Sequence, residues 1–219
     1  MKKVLFVALF AALFSTVQAQ DAPKLYTLPS PFERYTHFLA TARMSGAAPV
    51  GSFSNSFIDK ASLRNFSISI EWVLRNSPLS VGAELGTSYF QKRLPRALYV
   101  SGNETLSAVQ TRSFTQNPLQ LFVNYHFLNK SSMIQPYAQL SGGISIADYS
   151  LYYGTLVEQK QKVAPAYGIG LGSKFLFKKD GSLGADVRVK YEGTTFKYGY
   201  IDNGTSTINA SVGLFYRWW

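Results

Sequence analysis

The chain closes on S-T-I-N-A-S-V-G-L-F-Y-R-W-W, residues 206–219. Ile208, Ala210, Val212, Leu214, Tyr216 and Trp218 take every second position, with Asn209, Ser211, Gly213, Phe215 and Arg217 between them. Successive side chains of a strand point to opposite faces, so a period of two marks a strand whose faces meet different surroundings. Chain termini usually fray into polar residues. This one keeps its alternation to the end and stops on paired tryptophans, which predicts a terminal strand with one face held against something apolar.

The same period recurs upstream. Phe66, Ile68, Ile70 and Trp72 alternate with Ser67, Ser69 and Glu71; Leu79, Val81, Ala83 and Leu85 alternate with Ser80, Gly82 and Glu84. Leu119, Leu121, Val123, Tyr125 and Phe127 flank Gln120, Phe122, Asn124 and His126. Tyr167, Ile169, Leu171 and Phe175 alternate with Gly168, Gly170, Gly172 and Lys174, and Val187, Val189 and Tyr191 with Asp186, Arg188, Lys190 and Glu192. Weaker segments near 35–46 and 134–149 bring the expected number of strands to eight. The connections at 75–78, 128–133 and 179–182 are short, and Asp180-Gly181 is a two-residue hairpin signal. Those near 47–62, 93–106, 150–161 and 197–205 are longer, rich in Gly, Ser and Tyr, and read as loops. An even number of antiparallel strands, with short turns at one end and long loops at the other, is the layout of an outer-membrane barrel. The expected fold is therefore all-β: an eight-stranded antiparallel up-and-down transmembrane β-barrel over residues 35–219, its termini on the periplasmic side.

Composition agrees with export to a membrane. Lys2 and Lys3, the apolar run Val4–Phe14 and the small residues Val17 and Ala19 predict a secretory signal peptide over 1–19, cleaved after Ala19. Residues 20–34, with Pro23, Pro29 and Pro31, read as an extended periplasmic lead-in. The 219-residue chain has no cysteine, which excludes a disulfide framework and thiolate metal sites. Charged residues make up 16%, against about 25% in an average soluble protein.

Alternation alone leaves two barrels open, since a lipocalin-like soluble barrel turns its apolar face inward. Three features favour the membrane form. The polar face is crowded with Gly, Ser and charges of both signs, suited to filling a narrow interior. Trp72, Tyr125, Phe127, Phe175, Phe177, Tyr216 and Trp218 cluster at one set of strand ends, and Tyr89, Tyr167 and Tyr191 at the other. Such rings prefer headgroup depth. A spanning sheet must also leave no open edge in lipid, and the regular final strand can close on the first.

The signal peptide, the eight-strand meander, the Pro118-Leu119-Gln120-Leu121 and Gln135-Pro136-Tyr137 strand starts, Leu140-Ser141-Gly142-Gly143 and the ending V-G-L-F-Y-R-W resemble the small OmpA/OmpX-like outer-membrane β-barrel family. The resemblance covers residues 35–219 and implies the outer membrane of a Gram-negative-type bacterium. It also implies that Tyr216, Trp218 and Trp219 carry the aromatic signal read by the barrel-assembly machinery.

Arg43, Glu71, Glu84, Lys174, Asp186, Arg188, Lys190, Glu192 and Arg217 fall on the inward face. Buried charges persist when paired and hydrogen-bonded, so these nine are expected to form a salt-bridge network that plugs the lumen, with Arg217 facing Glu71 or another lumen acid. A gated ion path is the functional alternative. His126 also points inward, but no His-x-Ser pattern accompanies it, and His37 sits equally low in the barrel, so a catalytic serine–histidine pair is not expected. Gly168–Lys174 fits no phosphate-loop pattern. No cofactor, metal ion or nucleic acid is expected. Lys92, Arg93 and Arg96 lie where the third strand meets its outer connection and are candidates for lipopolysaccharide phosphates, with Lys160 and Lys162 near the next. Tyr152, Tyr153, Tyr198 and Tyr200 make the outer connections aromatic, as a protein partner would favour. The function expected is a non-enzymatic barrel acting in envelope integrity or surface binding. A narrow pore for small solutes and a lipid-A-modifying enzyme are the alternatives.

Overall fold

The computed structural model describes residues 32, 35–101, 104–129 and 132–218, with side chains for these except 99–101 and 104–106. The expected signal peptide, most of the expected lead-in and Trp219 lie outside the described residues. Eight strands follow in order: β1 (His37–Pro49), β2 (Ser62–Val73), β3 (Leu79–Ser101), β4 (Glu104–His126), β5 (Ile134–Tyr153), β6 (Leu156–Leu176), β7 (Leu183–Thr194) and β8 (Thr205–Trp218). A one-and-a-half-turn helix, α1 (Gly51–Ser56), interrupts the β1–β2 connection. Every strand pairs antiparallel with the next, and β8 returns to β1 from Phe38↔Trp218 to Pro49↔Thr207, so the sheet is closed. Closure satisfies the backbone polar groups that lipid cannot.

The apolar face looks outward. Ile70, Leu121, Leu140, Leu171 and Leu214 are 60–70% exposed, whereas Glu71, Lys174 and Asp186 are fully enclosed. Only a lipid environment makes that arrangement favourable, because in water each Å² of apolar surface left outside would cost about 25 cal/mol. At the rim that carries the short turns the register sets Trp72, Phe38 and Trp218 in one row across β2, β1 and β8. Phe38 stacks on both tryptophans at 5.9–6.2 Å between centroids. Asp180 takes φ +60° in the short β6–β7 turn, so the Asp of the Asp-Gly signal, rather than the Gly, adopts the left-handed conformation.

Two of the four expected outer loops are strand. Cross-strand pairing continues to Ser101↔Glu104 in the β3–β4 hairpin, past a bulge between Arg93 and Arg96, and to Tyr153↔Leu156 in the β5–β6 hairpin. Polar residues outside the bilayer break the apolar alternation without breaking the backbone ladder, which is why these stretches read as loop. Gly154, at φ +65°, closes the second hairpin in two residues. Residues 50–61 and 195–204 are the true outer connections, and they fold across the barrel mouth.

The parity of each tall strand persists while its chemistry inverts. On β4 the outward residues change from Leu121 and Leu119 to Asn117, Thr115, Ser113 and Thr111; the inward ones change from Gln120 and Gln116 to Phe114. On β5 the outward switch falls between Ile146 and Asp148, and on β6 between Val163 and Gln161. Tyr89, Thr115, Asp148 and Gln161 are successive cross-strand partners, so the switch follows one row across β3 to β6. That row marks where the outward face ceases to suit lipid. Above it Phe90, Phe114, Ala147, Tyr149 and Leu151 turn inward and bury Phe53 of α1, Phe57, Phe196 and Ile201 in an aromatic core across the mouth.

Candidate functional site: the charged lumen

Below that core the lumen is ionic. Arg43, Glu71, Glu84, Lys174, Asp186, Arg188, Lys190 and Glu192 are all at most 7% exposed, four acids with four bases. The larger group centres on Glu84, which meets Arg188, Lys190 at 3.2 Å and Arg43 at 3.6 Å. Arg43 Nε also donates to Asp186 at 2.5 Å, and its Nη1 to Ser69 Oγ at 2.8 Å. Glu192 lies 3.9 Å from Lys190 and accepts from Gln116 and Asn209, each at 3.2 Å. Gln120 accepts from Lys190 at 2.6 Å, and Gln139 from Arg188 at 2.8 Å. A smaller group surrounds Glu71: Lys174 donates to it at 2.6 Å, His126 lies 3.3 Å away, and the Ser80 hydroxyl makes a short bond to the same carboxylate. Tyr137 joins the two groups. Its hydroxyl donates to Asp186 at 2.9 Å, while Lys174 Nζ lies 4.7 Å from its ring centroid.

Register and small residues make these meetings possible. Gly213 of β8 is opposite both Arg43 of β1 and Asp186 of β7. A Cβ there would lie 2.7 Å from Arg43 Cγ and collide with the Ala42 carbonyl, so glycine leaves the gap that the guanidinium crosses. At Gly172 an added Cβ would fall 2.6 Å from the Tyr137 hydroxyl, and the bare backbone makes room for the linking ring.

Arg217 does not join Glu71. Its Nε donates to the Gly181 carbonyl at 2.6 Å, and its guanidinium carbon lies 3.7 Å from the Phe32 ring centroid. Arg217 shares a cross-strand row with Glu71, both opposite Leu39, but its guanidinium turns to these partners, and the Glu71 carboxylate is occupied by Lys174, His126 and Ser80. Phe32, from the lead-in, is 1% exposed and also meets the His37 ring edge-on at 5.2 Å. Sequence reading also missed the neutral partners Ser80, Gln116, Gln120, Tyr137, Gln139 and Asn209. All are inward by parity, and that parity is the signal that could have found them.

No family model matches the sequence, and no curated protein matches it significantly. Solved structures do. A major outer membrane protein from Thermus thermophilus aligns with 84% of this chain and 100% of its own, at 12% identity and a TM-score of 0.51. The chain has the outer-membrane β-barrel fold. It is also similar to Neisserial surface protein A (83% of this chain, 96% of that one, 14% identity, TM-score 0.48) and to the attachment invasion locus protein Ail of Yersinia pestis (84%, 97%, 13%, 0.47).

Outside the lumen, the barrel separates the three basic residues of its third strand. Lys92 turns inward and bonds Asp59 of the β1–β2 connection at 2.8 Å. That contact holds the Asp59 carboxyl below its ordinary 3.8. Arg93 and Arg96 pair with Thr111 and Val109, which places both on the outward face, the bulge between them restoring that orientation. Arg112, not singled out by sequence, donates to the carbonyls of Ser56 and Phe57 at 3.0 and 3.1 Å and lies 4.5 Å from the Tyr200 ring centroid, clamping both outer connections. Among the described residues no three His, Asp or Glu gather as a metal site requires.

Proposed function

We propose that this protein is a non-enzymatic barrel of a bacterial outer membrane with a sealed lumen. It is exported under its 1–19 signal peptide, and it acts in envelope integrity or through partners at its outer surface. The double closure of the lumen carries this reading. Ion pairs cross the bore from β1, β3 and β7 to meet at Glu84, and the aromatic core lies across the mouth above them. The polar cavity beside Glu84, Arg188, Lys190 and Glu192 has a volume of about 20 Å³, room for roughly one water molecule. Opening a path would mean separating buried partners, at about 3–5 kcal/mol for each pair broken. Planar-bilayer recordings are expected to give no steady conductance. Steady channels would favour the alternative, a narrow pore for small solutes.

One cluster speaks for an enzyme. Ser80 Oγ lies 3.0 Å from His126 Nε2, with Glu71 beside both. In a base-activated nucleophile the serine meets one ring nitrogen and the carboxylate the other. Here Nε2 faces both partners, Glu71 also holds Lys174, and Ser80 and Glu71 are fully enclosed in the lumen, where no acyl chain reaches. Unchanged lipid A mass spectra on expression are expected, and any acyl change would revive the lipid-A-modifying alternative. For assembly, Tyr216, Trp218 and Trp219 are the residues we assign to the barrel-assembly machinery. Arg93 and Arg96, rather than Lys92, are positioned for lipopolysaccharide anions.

A further inference from the structure

The end of the lumen that carries the short turns has an apolar layer of its own. Leu39, Val73, Leu176 and Phe215 are all inward by parity and form one buried cluster. Val73 and Leu176 are the last residues of β2 and β6, each two positions beyond Glu71 and Lys174 on the same face. The cluster therefore covers the Lys174–Glu71 pair from that end. His37 and Arg217 carry the inward parity on to the start of β1 and the end of β8, and both are buried.

Phe32 reaches these two residues from outside the strands. It belongs to the stretch that reads as an extended lead-in, five positions before His37, yet it is as deeply buried as the core of the cap. Its ring lies over the Arg217 guanidinium and meets the His37 ring edge-on. Both partners face the lumen, so the ring that touches them is inside the mouth rather than against its outer rim. Arg217 is prepared for a flat partner. Its bond to the Gly181 carbonyl, in the β6–β7 turn, fixes the orientation of the guanidinium. A guanidinium is planar, weakly hydrated and stacks on aromatic faces, and such a contact gains strength when it is desolvated. The short tether to β1 supplies the ring at an effective concentration of about a millimolar or more, with no partner to be found in solution.

We propose that Phe32 is a plug: the lead-in seats it against Arg217 and His37 and closes the lumen at the end opposite the aromatic cap. The charged lumen is then bounded by apolar side chains at both ends, and the low dielectric strengthens its ion pairs. The proposal rests on the sealed-lumen reading and adds a closure supplied by the chain before the barrel. Diethyl pyrocarbonate modification of His37 in the folded, detergent-solubilised protein reports access to the mouth, read by mass spectrometry on the tryptic peptide that separates His37 from His126. In the unaltered protein His37 should react far more slowly than in the SDS-boiled chain. Phe32→Ala should raise its rate about tenfold, the factor implied by loss of one desolvated cation–π contact, while the unboiled gel shift persists. Phe32→Leu keeps an apolar side chain without the ring and should fall between the two; it decides the matter if the alanine variant gives no gel shift. Equal His37 rates in the unaltered and substituted barrels, or a His37 as reactive in the folded protein as in the boiled chain, would overturn the plug. Steady conductance of the unaltered protein in planar bilayers would instead sink the sealed-lumen reading on which it stands.

Discussion

The lower and upper halves of this barrel are built from the same strands and have opposite insides. In the bilayer, β4 presents Leu121 and Val123 outward and encloses Gln120 and Asn124; beyond it, β4 presents Thr115 and Thr111 outward and encloses Phe114. The pleat does not change. What changes is the solvent, and with it the face that must be hidden. Membrane strands can be recognised by which parity is apolar, and the exchange marks the stretch of each strand that no longer faces lipid.

The contrast also separates two modes of cohesion. Below, closed pairing and buried ion pairs hold the lumen. Above, aromatic packing holds a cap: Phe53 meets Phe90 and Phe114 at 5.9 and 5.2 Å, and Phe57 stacks on Tyr149 at 4.7 Å. Gly213→Val attacks the first mode at its backbone, since its side chain would displace Arg43 and push β8 from β1; we expect complete loss of the unboiled gel shift. Asp186→Ala leaves Arg43 and Tyr137 facing an empty position, and should cost about 3–5 kcal/mol of barrel stability by urea titration. Phe114→Ala removes a comparable amount, about 3–5 kcal/mol by transfer and cavity terms, but from the cap. Protease cleavage of the outer connections should increase while the gel shift persists, because local opening need not unfold the whole. A lost gel shift in that variant would mean the two halves fold as one unit.

Smaller changes sharpen the same comparison. Tyr137→Phe keeps the ring beneath Lys174 and deletes the bond to Asp186, for about 1–3 kcal/mol in the same titration. Lys92→Ala sits at the exposed upper edge and should leave barrel stability nearly untouched, its effect read instead in the titration of Asp59. In the unaltered protein the folded-state carboxyl titrates below its ordinary 3.8, so the Lys92–Asp59 tether contributes above that value and is lost as pH falls through the lower folded value. The substitution should return the Asp59 resonance to ordinary behaviour.

Much of the lower half was legible. Strand number, closure, the lipid-facing side and the eight charges of the network follow from a period of two read against one apolar parity. The upper half was not, because its strands lose the outward apolar residues that made the pattern visible. Continuing the count past Asn117 would have shown Phe114, Phe90 and Tyr149 on the parity opposite to Leu119, Leu85 and Ile146, and that reversal was the available clue. Of the four tyrosines that suggested a partner surface, Tyr153 and Tyr198 pack against the aromatic core, whereas Tyr152 and Tyr200 remain exposed.

By itself the sequence determined which residues face lipid and which face the lumen, since parity is a local property of the backbone and survives without knowledge of any neighbour. Only the tertiary structure decided the partners. Arg43 finds Asp186 across 143 residues of chain because β8 comes home between β1 and β7 with a glycine at the crossing point. Arg217, on the inward parity like the rest and on the same cross-strand row as Glu71, takes the Gly181 carbonyl and the Phe32 ring instead. Which charge meets which depends on strand stagger summed around a closed ring, and that sum is set by all eight registers together.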